Sequence, residues 1–196
     1  AIVLTTVNSV LQRVPGREAV SVASYSARSG DTIDREALLG FLAQNGYERA
    51  GTVREAGEFA VRGGIVDVFP PGADEPLRLD LFGDELKAVR AFDPLTQITT
   101  RRTTGLALGP VGEVRLDETA VQCFRAGYRE AFGPVTRDDP LYRAISEGRR
   151  HIGMDHWLPL FHEHLETVFD LVPEAMVTMD GLTGQAVTAR FEMIQE

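Results

Sequence analysis

A single cysteine, Cys123, stands among 196 residues. A lone thiol excludes an intrachain disulfide framework and any zinc site built from several cysteines. A reducing, cytoplasmic setting is the expectation that follows. Lysine is nearly missing too, since of 20 basic residues only Lys87 is not an arginine. Arginine is the side chain best suited to bidentate pairing with carboxylates at an interface. Positive charge is in short supply overall, with 29 acidic residues and a net charge of −9, which argues against a surface dedicated to grasping nucleic-acid backbone. No apolar run approaches the roughly 18 residues of a membrane-spanning helix, so no membrane partner is expected. The opening Ala1-Ile2-Val3-Leu4-Thr5-Thr6 has neither an initiator Met nor a basic stretch ahead of its apolar residues, so it does not read as a secretory leader. It reads as a strand met partway, and the chain as a piece of a longer protein. The phosphate loop GxxxxGK[ST] is missing, as are GxGxxG, GxSxG and HExxH, and no internal repeat is visible.

What is present is a globular composition, 43% hydrophobic and 25% charged, on a length of one to one and a half domains by a prior of about 100–200 residues each. Ile2 to Thr5 reads as a strand, Asn8 to Arg13 as a short helix, and Ala19 to Ser26 as extended after the Pro15-Gly16 breaker. Asp34 is a helix N-cap, with Ile33 and Leu38 as the staple pair around it. Leu38, Leu39, Phe41 and Leu42 form the apolar stripe, and Asn45-Gly46 is the left-handed stop. From Tyr47 to Phe92 the period falls to two, in short runs cut by turns. Gly63-Gly64 permits a two-residue hairpin or a bulge, and Gly83-Asp84 is a turn. The simplest architecture is an antiparallel meander packed on the Asp34 helix. Asp117 then caps a helix to about Phe132 stopped by Gly133, and Asp139-Pro140 starts another closed by Gly148. Ala175 to Met179 reads as a strand, and Ala186 to Ile194 as the start of a helix.

Several groups invite a chemical reading that the spacing does not support. His162 and His164 flank Glu163, but an i, i+2 spacing fits neither one helical face nor a usual zinc pattern, so these histidines and His151 and His156 read as surface or capping residues. Asp80, Asp84, Glu85 and Asp93 form the densest carboxylate group, yet alternation and turns make them solvated hairpin charges rather than an acid/base or Mg²⁺ site. Cys123 sits on an amphipathic helix with no neighbouring His and reads as a small buried hydrophobe. Trp157 with Leu158, Leu160 and Phe161 is a core or domain-docking anchor. Arg62 alternates with Phe59 and Val61, so it points away from the core. Arg49 and Arg54 lie just upstream, and the three are candidates for one exposed face. Scattered solubilising charge is the alternative.

The run Gly57-Glu58-Phe59-Ala60-Val61-Arg62-Gly63-Gly64-Ile65-Val66-Asp67-Val68-Phe69-Pro70 completes a recognisable series. With Tyr47-Glu48-Arg49, Leu79-Asp80-Leu81-Phe82-Gly83-Asp84-Glu85 and Phe92-Asp93-Pro94-Leu95-Thr96, it resembles the UvrB-homology region shared by UvrB and the bacterial transcription-repair coupling factors (Mfd). Thr6-Val7-Asn8, Leu11 to Pro15 and Gly153 to Phe161 are more similar to the coupling factors. The resemblance implies mixed α/β and α+β architecture: a UvrB-domain-2-like antiparallel sheet with helix, inserted in a partial RecA-like α/β domain. Residues 1–20 would be the first portion of the RecA-like domain, 21–105 the UvrA-binding domain, and 106–196 a helical segment returning to the RecA-like domain.

By the same resemblance, Arg49 and Arg62 match arginines of the family's UvrA-docking face, with Arg54 a third. Ala60 stands where UvrB carries an arginine. Asp180-Gly181 replaces the Asp-Glu pair of UvrB-type ATPases, which implies a module without nucleotide hydrolysis. The implied function is UvrA recruitment in transcription-coupled nucleotide excision repair, with no catalytic residue, cofactor or metal in these residues. ATP and Mg²⁺ would serve the DNA-translocating motor of the longer protein, and RNA polymerase and DNA would bind its other parts. A nucleotide-hydrolysing UvrB-like fragment is one alternative. The other is a DNA-contacting module in which Arg101-Arg102 and Arg149-Arg150 touch phosphate.

Overall fold

A computed structural model describes residues 2–135 and 139–195. In chain order the elements are α1 (Val7–Val10), α2 (Arg17–Val22), β1 (Tyr25–Arg28), α3 (Arg35–Gln44), β2 (Glu48–Arg49), β3 (Glu58–Arg62), β4 (Ile65–Val68), β5 (Leu77–Phe82), β6 (Glu85–Phe92), β7 (Thr99–Thr103), β8 (Gly105–Leu108), α4 (Glu118–Phe132), α5 (Pro140–Ser146), a 3-10 helix (Met154–Leu160), α6 (Val168–Leu171) and α7 (Thr183–Gln195). They form two compact units, residues 18–163 and residues 1–17 with 164–196. No helix among the described residues is long and apolar enough to cross a membrane.

The larger unit is built on a six-stranded sheet in the order β2-β3-β4-β5-β6-β7. Strands β3 to β7 form the antiparallel meander, and β2 joins its edge in parallel. Gly63-Gly64 resolves as a two-residue hairpin, since Arg62 stands opposite Ile65 and Gly63 takes φ 59°, the first-position geometry of a type II′ turn. Gly64 is required for a different reason: a Cβ there would lie 2.5 Å from the Leu81 carbonyl oxygen of β5. On one face of the sheet Val66, Val68, Leu79, Leu81, Leu86 and Val89 pack with Leu38 and Leu42 of α3. Asp34 caps that helix by accepting the Ala37 N–H at 3.1 Å, and Gly46 ends it at φ 87°. On the outer face Val53, Ala60, Phe92 and Phe69 form a smaller cluster. Strand β3 is therefore covered on both sides, and Phe59 and Ala60 are both buried.

The helical part of this unit follows its caps. Asp117 accepts the Ala120 N–H at 2.9 Å and Asp139 the Tyr142 N–H at 2.9 Å. Between α4, α5 and the 3-10 helix, the rings of Phe124, Tyr128, Phe132, Tyr142, Trp157 and Phe161 meet at centroid distances of 4.8–6.0 Å. Trp157 is thus a core anchor of this unit. In the smaller unit Val14 and Glu166 exchange two backbone hydrogen bonds of 2.9 Å, and α1 packs beside α7.

Four stretches differ from the sequence expectation. Ile2 to Thr5 is not a strand, and Thr6 caps α1 instead. Of the stretch Ala19 to Ser26 expected to be extended, Ala19 to Val22 lie in helix α2, closed by the Ala23 N–H bonding the Ala19 carbonyl at 3.1 Å, and only Tyr25-Ser26 are in a strand. Ala175 to Met179 forms no strand. These β-branched or apolar runs carry strand propensity, but a strand also needs a neighbour for its ladder, and the described residues supply none to them. Conversely, β7 and β8 extend the β structure beyond Phe92. Four of the five β7 residues are exposed, so no period-two alternation announces it, and β8 pairs with the distant β1.

The core assignment makes a quantitative prediction. Leu42→Ala, at a wholly buried position, should lower stability by about 2–5 kcal/mol in urea unfolding. Leu95→Ala, at a site 84% exposed, should change it by less than about 0.5 kcal/mol.

Candidate protein-docking site

The outer face of the sheet is organised around one carboxylate. Asp67 in β4 is wholly buried and stands between Ala60 of β3 and Arg78 of β5 in the ladder. Arg78 grips it with two prongs, Nε to Oδ1 at 2.7 Å and Nη2 to Oδ2 at 3.0 Å. Arg62 Nη2 donates to the same Oδ2. Bidentate charge-assisted bonds of this kind fix geometry as well as supply energy. The Asp67 hydrogen bonds hold the Arg78 guanidinium above its already high ordinary pKa, against the opposing effect of burial. Arg78 lies 4.5 Å over the Phe92 ring centroid, and its Nη1 reaches the Gln97 carbonyl at 3.3 Å.

The loops around this face are stitched to it. Gln97 takes φ 62°, a left-handed conformation, and its Nε2 donates to the carbonyls of Val53 at 3.0 Å and Pro94 at 2.7 Å. Asp93 accepts the Thr96 N–H at 2.6 Å, the Thr96 hydroxyl at 2.8 Å and the Leu95 N–H at 3.0 Å. Glu58 receives the N–H groups of Arg54 at 2.7 Å and Glu55 at 3.0 Å, and these bonds hold its carboxyl below the usual range.

The three arginines read from the sequence occupy different settings. Arg62 ends β3 with 47% of its side chain exposed while its guanidinium is held by Asp67. It faces outward, as alternation requires. Arg54 is exposed on the loop before β3, its backbone fixed by Glu58. Arg49 is exposed on β2 opposite Phe59. Residues paired across a ladder share a face, so Arg49 belongs by register to the Phe59 face and Arg62 to the Ala60 face. The expectation of one shared face is therefore corrected: by register Arg49 and Arg62 lie on opposite faces of the sheet. Ala60 is sealed under Val53 and Phe92, so position 60 offers no contact.

The remaining candidates separate. Asp80 pairs with Arg90 at 3.0 Å and Glu85 with Lys87 at 2.6 Å. Among the described residues no three His, Cys, Asp or Glu side chains are gathered to hold a metal. Cys123 is a free thiol and only half-buried, short of the burial expected for it. Of the four arginines read as phosphate contacts, Arg101 pairs with Glu75, Arg149 with Glu147, and Arg150 donates to the Val114 carbonyl at 3.0 Å. Sequence reasoning missed Asp67, Arg78 and Gln97. The available signal was an aspartate inside the apolar run Ile65-Val66-Asp67-Val68-Phe69.

Comparison with known proteins agrees with this geometry. Residues 26–113 match the UvrB interaction domain family. The transcription-repair-coupling factor of Haemophilus influenzae is 34% identical over 191 residues, covering 97% of this chain and 17% of that protein. That of Escherichia coli is 32% identical over 173 residues, covering 88% and 15%. That of Myxococcus xanthus is 37% identical over 166 residues, covering 80% and 14%. The chain therefore spans well under a fifth of the length of these curated relatives. The sheet with its arginine-bearing outer face is an interaction domain of the UvrB type. Over most of its length the chain is similar to one part of the transcription-repair-coupling factors.

Two measurements follow. Removing a buried ionic partner typically costs about 3–5 kcal/mol, so Asp67→Ala should destabilise by that amount in urea unfolding, and a loss below about 1 kcal/mol would contradict the triad. Glu58 has a lowered folded pKa, so its hold on the Arg54 loop is full above the ordinary carboxylate value of about 4.3 and lost as pH falls through the folded one. In an NMR titration the Glu58 carboxyl and the Arg54 amide should shift together with a midpoint below that value.

Proposed function

We propose that this chain recruits UvrA, with Arg62, Arg49 and Arg54 meeting carboxylates on that partner. The observation that carries the reading is Arg62, half in solvent yet clamped by the wholly buried Asp67. Its guanidinium is ordered before the partner arrives, so less conformational entropy is lost on binding. Complementary charge then supplies orientation and on-rate more than raw affinity. The match of residues 26–113 to the UvrB interaction domain supports this choice of partner.

On this reading the chain itself makes and breaks no bond. It serves transcription-coupled nucleotide excision repair in the bacterial cytoplasm, while ATP, Mg²⁺, RNA polymerase and DNA belong to other parts of a longer translocase. The UvrA-binding part is residues 21–105. Residues 1–20 and the return segment within 106–196 belong to a RecA-like domain that it interrupts.

Calorimetric titration of the chain with UvrA at two salt concentrations tests the proposal. Binding should weaken with salt, and Arg49→Ala with Arg62→Ala together should weaken it by at least ~100-fold, about 2.7 kcal/mol. Absence of binding by the unaltered chain would overturn the reading.

A further inference from the structure

Beyond Arg62, the ladder places arginines directly opposite one another on three adjacent strands: Arg78 of β5 faces Arg90 of β6, which faces Arg102 of β7. With Ala60 and Asp67 they complete one row across β3 to β7. At about 4.8 Å per strand it crosses about 19 Å of sheet. Like charges directly opposite destabilise a ladder unless something compensates them. Compensation is complete at one end of the row and missing at the other. Asp67 serves Arg78 and Arg62, and Asp80 serves Arg90. The Glu58 carboxylate is taken up by backbone amides. Arg102 is exposed and makes no ion pair among the described residues, although Arg90 stands opposite it. Its neighbour Arg101 falls on the other face by alternation and is satisfied by Glu75 at 3.0 Å.

We infer that Arg102, with Arg90 beside it, is a second docking point on the outer face of the sheet, and that it receives a carboxylate from an acidic strip of the same protein partner that engages Arg62. The inference rests on the recruitment reading and extends its contact surface from the β2–β3 edge across to β7. A protein strip fits better than nucleic acid. Two of the three arginines in the row already hold aspartates, Arg78 with Asp67 and Arg90 with Asp80, and the chain's net charge of −9 opposes approach of a continuous polyanion. Discrete carboxylates reach the solvent-facing Arg62 and Arg102 without meeting Asp67, which is buried.

The test uses the whole chain and UvrA as the probe, with duplex DNA at low salt as a second probe. Arg102→Ala should weaken UvrA binding about fivefold and Arg102→Glu about thirtyfold or more, chiefly by slowing association. Arg101→Ala should leave it unchanged. Thermal unfolding of each variant establishes that the sheet is intact, as the exposure of Arg102 leads one to expect. If Arg62→Ala weakens binding while Arg102→Glu does not, recruitment stands and the second docking point is wrong. Loss of DNA binding in Arg102→Glu with unchanged UvrA affinity would assign the row to nucleic acid and overturn the inference. So would self-association of Arg102→Ala at unchanged affinity, which would make Arg102 a guard of the open β7 edge. If the unaltered chain does not bind UvrA at all, both readings fall.

Discussion

The outer face of this sheet depends on one buried carboxylate. Asp67 has no solvent exposure, and an ionised group in that position is tolerable only when its lone pairs are filled by well-placed donors. Arg78 fills them with a two-pronged grip, and Arg62 adds a third bond. The three side chains come from three consecutive strands, so the interaction pins the register of β3, β4 and β5 while it orders the guanidinium that reaches solvent. Stability and recognition are thus coupled through the same oxygen atoms.

The surroundings make that arrangement rigid. Gly64 lets the β3–β4 turn press against the Leu81 carbonyl, which holds Arg62 close to the sheet rather than on a swinging hairpin. Gln97 ties the loop after β6 to the loop before β3, and Phe92 supplies a ring under Arg78. Polar networks of this kind favour one arrangement when their members are satisfied. Arg102, without an ion pair among the described residues, lies on the edge strand where an outside partner has access.

Much of this was legible in the residues, and the failures have a common cause. Helix ends were readable because caps are local: Asp34, Asp117 and Asp139 each bond the backbone three residues on. The meander was readable from Leu77, Leu79 and Leu81 and from the glycine turns. Strand readings failed where pairing decides, as at Ala175 to Met179, or where no alternation exists, as in β7 with its run of exposed residues. Arg62 was found by its alternation with Phe59 and Val61. Asp67 was missed because local sequence makes an aspartate in a strand look like an outward charge, and the Arg78 partner that allows its burial lies 11 residues away. The opposite facing of Arg49 and Arg62 is a register property, and it follows from the parallel β2–β3 pairing.

The most direct measurement of the central claim, that the partner sits on the outer face, is an amide hydrogen-exchange footprint of the chain with and without UvrA. The turn at Gly63-Gly64 and the loops of residues 50–57 and 93–98 border that face. The account predicts added protection there in the complex, with the amides of α3 and α4 unchanged. Protection confined to α4, α5 and the 3-10 helix, or none in the border loops under saturating UvrA, would contradict it.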